Sequence, residues 1–399
     1  MSKLRDHKKL FVFGKRFAGF AGMLLILLCA FSCSNLMVND GGSLIISTPG
    51  ARAATASSFT IELTGSNGAT QNKTVSGGST VQFDDLAPGA YHIVVKGKDV
   101  TGTVVFYGTS TATVVVGKSS SATVELGEVV HDFNSLKNAV TVGGTIFIGS
   151  DIEFTETINI VVNAVNIMAM NDVTLTSSQK MFQIEEGGKL TLASESKALT
   201  LQTTGSVPNI SLNGGEFVLE DNVTITGSYN DGCVTFGYSS SVIGTFIMNG
   251  GSITGSGNNK GVYIYQAGTF IMNGGTISNF DTGVYLREKA NFTMTGGRIS
   301  DNSTYGISFN NANPVFTISG SAVVDTVSLT SDTSAITVGG VLTGSAPVAT
   351  ITMTGYNTRV DPVLINGDGQ NFVSTEYQKF AVGDKSYTID SSGKLQKAQ

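Results

Sequence analysis

The stretch FIMNGGSIT, beginning at Phe246, is followed by FIMNGGTIS, beginning at Phe270. Both belong to a longer period. Phe217, Phe246, Phe270, Phe292 and Phe316 recur at gaps of 29, 24, 22 and 24 residues. Two residues after each stands Leu219, Met248, Met272, Met294 or Ile318, and Ile253, Ile277, Ile299 and Val323 align further on. A third apolar stretch closes each period: CVTF from Cys233, GVYIY from Gly261, GVYLR from Gly283 and GISF from Gly306. Gly, Asn, Asp and Ser separate these stretches, and those residues make tight turns. A period this short cannot bury its own apolar side chains, but stacked copies can.

Three strands per period predict a coil with three parallel sheets, each strand pairing with its counterpart one coil on, about 4.8 Å away. Alternation then sends the Phe and Met columns, the Ile column, Val262 and Ile264 inward, and Tyr263, Tyr265 and Tyr285 outward. Each buried Phe would contribute roughly 1.5–3 kcal/mol. The pattern resembles the right-handed parallel β-helix of the pectin-lyase-like superfamily, especially bacterial surface proteins with F-x-M-x-G-G-x-I-S coils. The resemblance is strongest over 214–320, reaching back to about Phe133 and forward to VATITMTGY. One helix is expected in HDFNSLKNAVTVGGTIFIGSDI, before its Gly-Gly, where Phe133, Leu136, Ala139 and Val140 fall at helical spacing behind Asp132 as N-cap. It reads as a lid on the first coil. YQKFAVGDKSYTIDSSGKL is expected to form a hairpin around VGDK that shields the last coil.

The N-terminal end has a different logic. Lys3, Arg5, Lys8, Lys9, Lys15 and Arg16 precede the apolar run FAGFAGMLLILLCAFS and then Cys33. A basic flank, a short apolar core and a small residue at the end make a secretory leader, 1–32. AFSC followed by Ser34 resembles the bacterial lipobox, which implies lipid attachment at Cys33 and cleavage just before it. The same bond also satisfies the small-x-small rule of ordinary signal cleavage. Ser34, not Asp, implies export to the outer membrane or cell surface, and several acyl chains at Cys33 would anchor the protein stably to the membrane. Residues 33–42 read as a tether.

From Ser43 onward, SLIIS, SFTIELTG, STVQFDDL, AYHIVVKG, TVVFYG, STATVVVG and SATVELG alternate apolar and polar positions. Seven such strands predict a small β-sandwich over 43–128. FDDLAPGAYHIVVKGKD resembles the carboxypeptidase-regulatory-like sandwich modules. The fold expected is therefore all-β: this sandwich, then a right-handed parallel β-helix over 129–399 with one capping helix at its N-terminal end and a C-terminal hairpin.

Chemistry on this scaffold is sparse. The leader holds six of the 24 basic side chains and one of the 30 acidic ones, so the rest carries a net charge of about −11. No basic stripe remains, which argues against nucleic acid as a partner. The polysaccharide hydrolases and lyases of the resembled superfamily carry paired Asp motifs, Gly-His-Gly, Arg-x-Lys or Ca²⁺-binding carboxylates beside a basic residue. None of those strings occurs in the repeats. His92 and His131 both precede them, and no Lys or Arg occurs between Leu201 and Gly250. Asp231 and Asp281 would fall two coils apart, roughly 10 Å, near the separation used by inverting glycosidases. Their column is filled by turn-formers, as YNDG, GNNKG, NFDTG and NSTYG show. Asp84, Asp85 and the Asp368 of INGDGQNF read as turn residues, not metal ligands. Cys233 takes a column that Gly261, Gly283 and Gly306 otherwise fill, and no His in the repeats could activate a catalytic thiol.

Tyr263 and Tyr285, on adjacent coils with Arg287 and Lys289 following, form the candidate ligand-binding surface for a glycan or protein. The expectation is a non-catalytic, surface-displayed lipoprotein with an interaction, adhesion or structural role, needing no cofactor or metal. The alternative is a polysaccharide lyase or glycoside hydrolase of the same fold.

Overall fold

The computed structural model describes residues 41–47, 56–76, 80–161, 164–238, 241–310, 314–367 and 369–399, all within one unit, Gly41–Gln399. The leader, Cys33, Asp368 and most of the tether lie outside the described residues.

Eight strands come first: β1 (Gly42–Ser47), β2 (Ser58–Gly65), β3 (Thr70–Val75), β4 (Val81–Leu86), β5 (Gly89–Lys98), β6 (Val104–Val114), β7 (Ser119–Thr123) and β8 (Gly127–Val130). One sheet has the order β4-β1-β7, and a second begins β3-β2-β5-β6-β8. Their inward residues, among them Leu44, Ile46, Phe59, Ile61, Phe83 and Ile93, share one core. Two features depart from the sequence expectation. β3, TQNKTV, has no apolar alternation and lies exposed at a sheet edge, where its partner β2 alone dictates the strand. TVVFYG and STATVVVG are a single strand, β6, running through Gly108. That glycine is a close-approach residue, not a turn: a Cβ there would lie 2.3 Å from the Glu125 carbonyl oxygen.

β8 is the seam between two kinds of sheet. It pairs antiparallel with β6 and parallel with Gly144–Ile148, the first strand of the coils. The intervening crossover is helix α1, Phe133–Val142. The Asp132 side chain caps it, accepting from the Ser135 backbone N–H at 2.9 Å and from Ser135 Oγ at 2.7 Å. This satisfies one of the orphan donors of the first turn. Phe133, Leu136, Ala139 and Val140 form the buried face and join the core of the coils that follow.

Those coils form a parallel β-solenoid of about 9 turns. Its first sheet continues from β8 and keeps strict register: Phe217, Phe246, Phe270, Phe292 and Phe316 pair in succession. All five are fully buried, with ring centroids 4.9, 4.6, 4.5 and 5.1 Å apart and planes within 24°. The strand spacing imposes this stack, since identical side chains in register repeat at the sheet's own separation. Leu219, Met248, Met272, Met294 and Ile318 form the second inner column, equally buried. In the second sheet Ile253, Ile277 and Ile299 align, but the next partner of Ile299 is Val324, not Val323. The turn around Gly320 holds one residue more than those of the three coils before it, so Val323 pairs with the outward Arg298.

Outside this core a side-chain ladder follows the Asn-Gly-Gly turns. Asn249 Nδ2 donates to Glu220 Oε1 at 2.8 Å, Asn273 Nδ2 to Asn249 Oδ1 at 2.9 Å, and Thr295 Oγ1 to Asn273 Oδ1 at 2.8 Å. Amides suit this position because each can donate to the coil before it and accept from the coil after it.

The C-terminal end differs from expectation in register. Phe380–Val382 is the last parallel strand, paired with Ala349–Met353, and the antiparallel pair is Tyr387–Ile389 with Leu395–Lys397. Its turn is therefore DSSGK rather than VGDK, with Asp390 Oδ1 accepting from the N–H groups of Ser392 and Lys394 at 2.8 and 3.0 Å. A short second helix, α2 (Val373–Glu376), precedes it. Glu376 is buried there, accepting from the Leu342 N–H at 3.0 Å and paired with Lys379 at 2.9 Å.

Candidate ligand-binding face

The third sheet places its outward residues in a column that reads Gln183, Ser211, Thr235, Tyr263, Tyr285, Ser308, Ser328. Two large rings thus stand on adjacent coils within a column of small polar groups. Val262 and Ile264, flanking Tyr263, point into the core and are fully buried, so strand alternation leaves the tyrosine no other side to face.

More aromatics join the pair. The chain turns after Phe236 at Gly237, whose φ of 75 lies in the left-handed region, and a Cβ there would sit 2.2 Å from the Ala267 carbonyl oxygen. Tyr238 folds back beyond this turn, its hydroxyl donating to Thr235 Oγ1 at 2.7 Å. Its ring stacks on Tyr265 at 4.5 Å, Tyr265 stacks on Tyr263 at 3.9 Å, and Tyr263 meets Tyr285 edge-on at 5.0 Å. Four rings from three successive coils form one continuous cluster, two contacts stacked and the last edge-on.

Cations flank it on both sides. Arg287 Nη1 donates to the Tyr263 hydroxyl at 3.2 Å. Lys260 Nζ stands 5.3 and 5.1 Å from the Tyr263 and Tyr285 ring centroids, within cation–π range. The Lys260 ammonium also donates to the Asn230 carbonyl at 2.8 Å and sits 3.9 Å from Asp231. Tyr229 donates to the second oxygen of Asp231 at 3.2 Å, and Asn310 Nδ2 donates to the Tyr285 hydroxyl. Burial pushes the phenols of Tyr263 and Tyr265 up, with the Arg287 hydrogen bond partly offsetting it for Tyr263. Both therefore remain neutral donors. The hydrogen bond to Tyr263 in turn raises Arg287.

The structure brings together Tyr263, Tyr285 and Arg287, the three residues singled out from sequence. It corrects the exposure of one of them: Tyr263 lies on the outer face but is only 6% exposed, because its neighbours cover it. The most accessible ring of the four is Tyr238, 47% exposed. Tyr238, Tyr229, Lys260 and Asn310 were not grouped with the site. Tyr238 sits in a bend, and Lys260 lies in the strand Ser252–Ile264 just after a register shift, two places whose direction the strand periodicity does not specify. Lys289 is exposed and pairs in register with Ala267.

The other candidates lie elsewhere. Asp231 is held by Tyr229 and Lys260, whereas Asp281 accepts from Thr282 and Thr304, so each carboxylate has its own set of partners. Cys233 is fully buried in the core, where burial pushes its thiol up to about 12. Asp84 accepts from Gln82 Nε2 at 2.6 Å. Among the described residues no three His, Cys, Asp or Glu side chains gather closely enough to hold a metal ion.

What fold and face define together is an all-β protein whose parallel solenoid carries an aromatic-cationic patch on one outer sheet. No family model, no curated protein and no solved structure matches this chain.

Proposed function

We propose that this chain is an exported, lipid-anchored surface protein that binds a macromolecular ligand through its solenoid and does not transform it. The observation that carries the reading is the four-ring tyrosine stack flanked by Lys260 and Arg287. Large rings and an arginine on a rigid scaffold supply contact area and hydrogen bonds at small entropic cost. The basic leader and Cys33 support display at the outer membrane or cell surface, and the F-x-M-x-G-G-x-I-S coils support the right-handed, pectin-lyase-like form of the β-helix. FDDLAPGAYHIVVKGKD supports a carboxypeptidase-regulatory-like module as the base.

The test is to incubate the chain, freed of its leader, with a panel of polysaccharides and matrix proteins. Retention without cleavage is expected. Release of reducing or unsaturated saccharide ends would contradict the reading in favour of a polysaccharide lyase or hydrolase, and retention of nothing in the panel would contradict it as well. Radiolabelled palmitate should enter the wild-type protein in a bacterial host but not Cys33→Ser. Equal labelling of the two would remove the anchor.

A further inference from the structure

We infer that the tyrosine stack is a protein-binding hot spot that seats a carboxylate-bearing peptide segment against the open edge of Arg287; this rests on the interaction reading above and names its partner class.

The inference begins with what each cation has left to offer. Lys260 is committed to Asp231, to the Asn230 carbonyl and to two ring faces. Arg287 donates one N–H to Tyr263, and among the described residues no Asp or Glu oxygen lies within 4.0 Å of its guanidinium. Its register partner on the next coil, Asn310, is neutral and turned to Tyr285. A guanidinium has five donors in a planar fork that matches a carboxylate at two points. An arginine that makes no ion pair beside an aromatic stack, with the adjacent Glu288 acting on it only at longer range, is complementary to an incoming carboxylate.

The ring geometry selects a polypeptide. A sugar platform offers open ring faces, but here Tyr265 lies between Tyr238 and Tyr263, and Lys260 stands over Tyr263 and Tyr285. A partner meets ring edges, hydroxyls, the exposed part of Tyr238 and the guanidinium. That is the mixture of rigid aromatic edges and arginine found at the centre of protein interfaces. Hydrogen bonds from Tyr238 to Thr235 and from Asn310 to Tyr285 hold the rings in place before anything binds, which lowers the ordering cost of association.

A random peptide library displayed on phage and selected on the immobilised chain lacking its leader tests this. Enriched sequences should carry Asp or Glu beside a large apolar residue. The synthetic peptide should bind at least tenfold more tightly than its counterpart with Asn or Gln in place of the acid, a comparison that requires no protein variant. Arg287→Gln should lose the same tenfold while keeping the wild-type circular dichroism spectrum and Tm, and Arg287→Lys should recover part of it. No enrichment, enrichment without acidic residues, or equal binding by Arg287→Gln would each overturn the inference. Retention of polysaccharide alone in the earlier panel would overturn it too, while leaving the interaction reading intact.

Discussion

The solenoid and the two-sheet region before it are both built of short alternating strands, yet they were legible to very different degrees. In the solenoid each strand pairs with a near copy of itself, so Phe246, Phe270 and Phe292 stack on like residues. Knowing one coil gives the inward set of the next. In the two-sheet region β2 pairs antiparallel with both β3 and β5, two sequences unlike it and unlike each other. Each pairing there is a separate fact, and a polar strand such as β3 forms because of where it sits, not what it contains. Repetition makes register redundant; without it, register depends on individual contacts.

The largest expected effect tests the redundant side. Phe270→Asp places a charge in the middle of the stack, where truncation of a Phe alone costs about 3–5 kcal/mol and an unpaired buried charge adds to it. Chemical denaturation should show loss of the cooperative transition; a wild-type midpoint would contradict the inward column. Gly108→Val probes the other region, because its side chain would overlap the Glu125 carbonyl. Overpacking of this kind costs about 1–3 kcal/mol, and hydrogen exchange should rise in β6 and β8 before it rises in the later coils. Uniform loss of protection across the solenoid would show that the seam at β8 couples the two regions tightly.

Asp132→Ala removes the cap of α1 and should cost about 1 kcal/mol by thermal unfolding; no change would mean the helix is held by its buried face alone. Asn273→Ala interrupts the turn ladder between Asn249 and Thr295. Its cost should be about 0.5–1.5 kcal/mol, smaller than any break in the inner stack, and a larger one would make the outer ladder a principal source of register.

The smallest effect concerns the C-terminal end. Burial opposes ionisation of Glu376, but Lys379 and the Leu342 N–H outweigh it and hold the carboxyl below its usual value of 4.5. A lowered value in the folded state means that the stabilisation is complete above about 4.5 and disappears as the pH falls towards the folded-state value. Glu376→Gln should therefore flatten the acid limb of a stability–pH curve and leave its shape near neutrality unchanged. An unaltered acid limb would remove Glu376 from the account.

What escaped the sequence has a common physical origin. Alternation specifies which side a strand residue faces, and it placed Tyr263 and Tyr285 together. It says nothing of what folds over that side. Tyr238 returns across the face only because Gly237 adopts a positive φ, and the Asp390 turn replaced VGDK because its carboxylate satisfies two backbone donors. Val323 was displaced from its column by one added turn residue, which periodicity cannot register. The N-cap and buried face of helix α1 are legible because four apolar positions and a capping Asp agree on one answer, as consistent local signals do.

The central claim, parallel strands stacked in register, is open to direct measurement by spin labels on the outward positions Thr245, Thr269 and Asn291, which occupy one column on consecutive coils. Cys233 is buried, with its thiol held protonated, so in a chain lacking the leader and carrying Cys33→Ser the introduced cysteines take the label. Backbone separations between labelled sites should be about 4.8 Å for one coil and about twice that for two, with the Thr245–Thr269 pair strongly coupled. A weakly coupled Thr245–Thr269 pair, or separations that do not grow by one strand spacing per coil, would contradict the stacked solenoid and everything built on it.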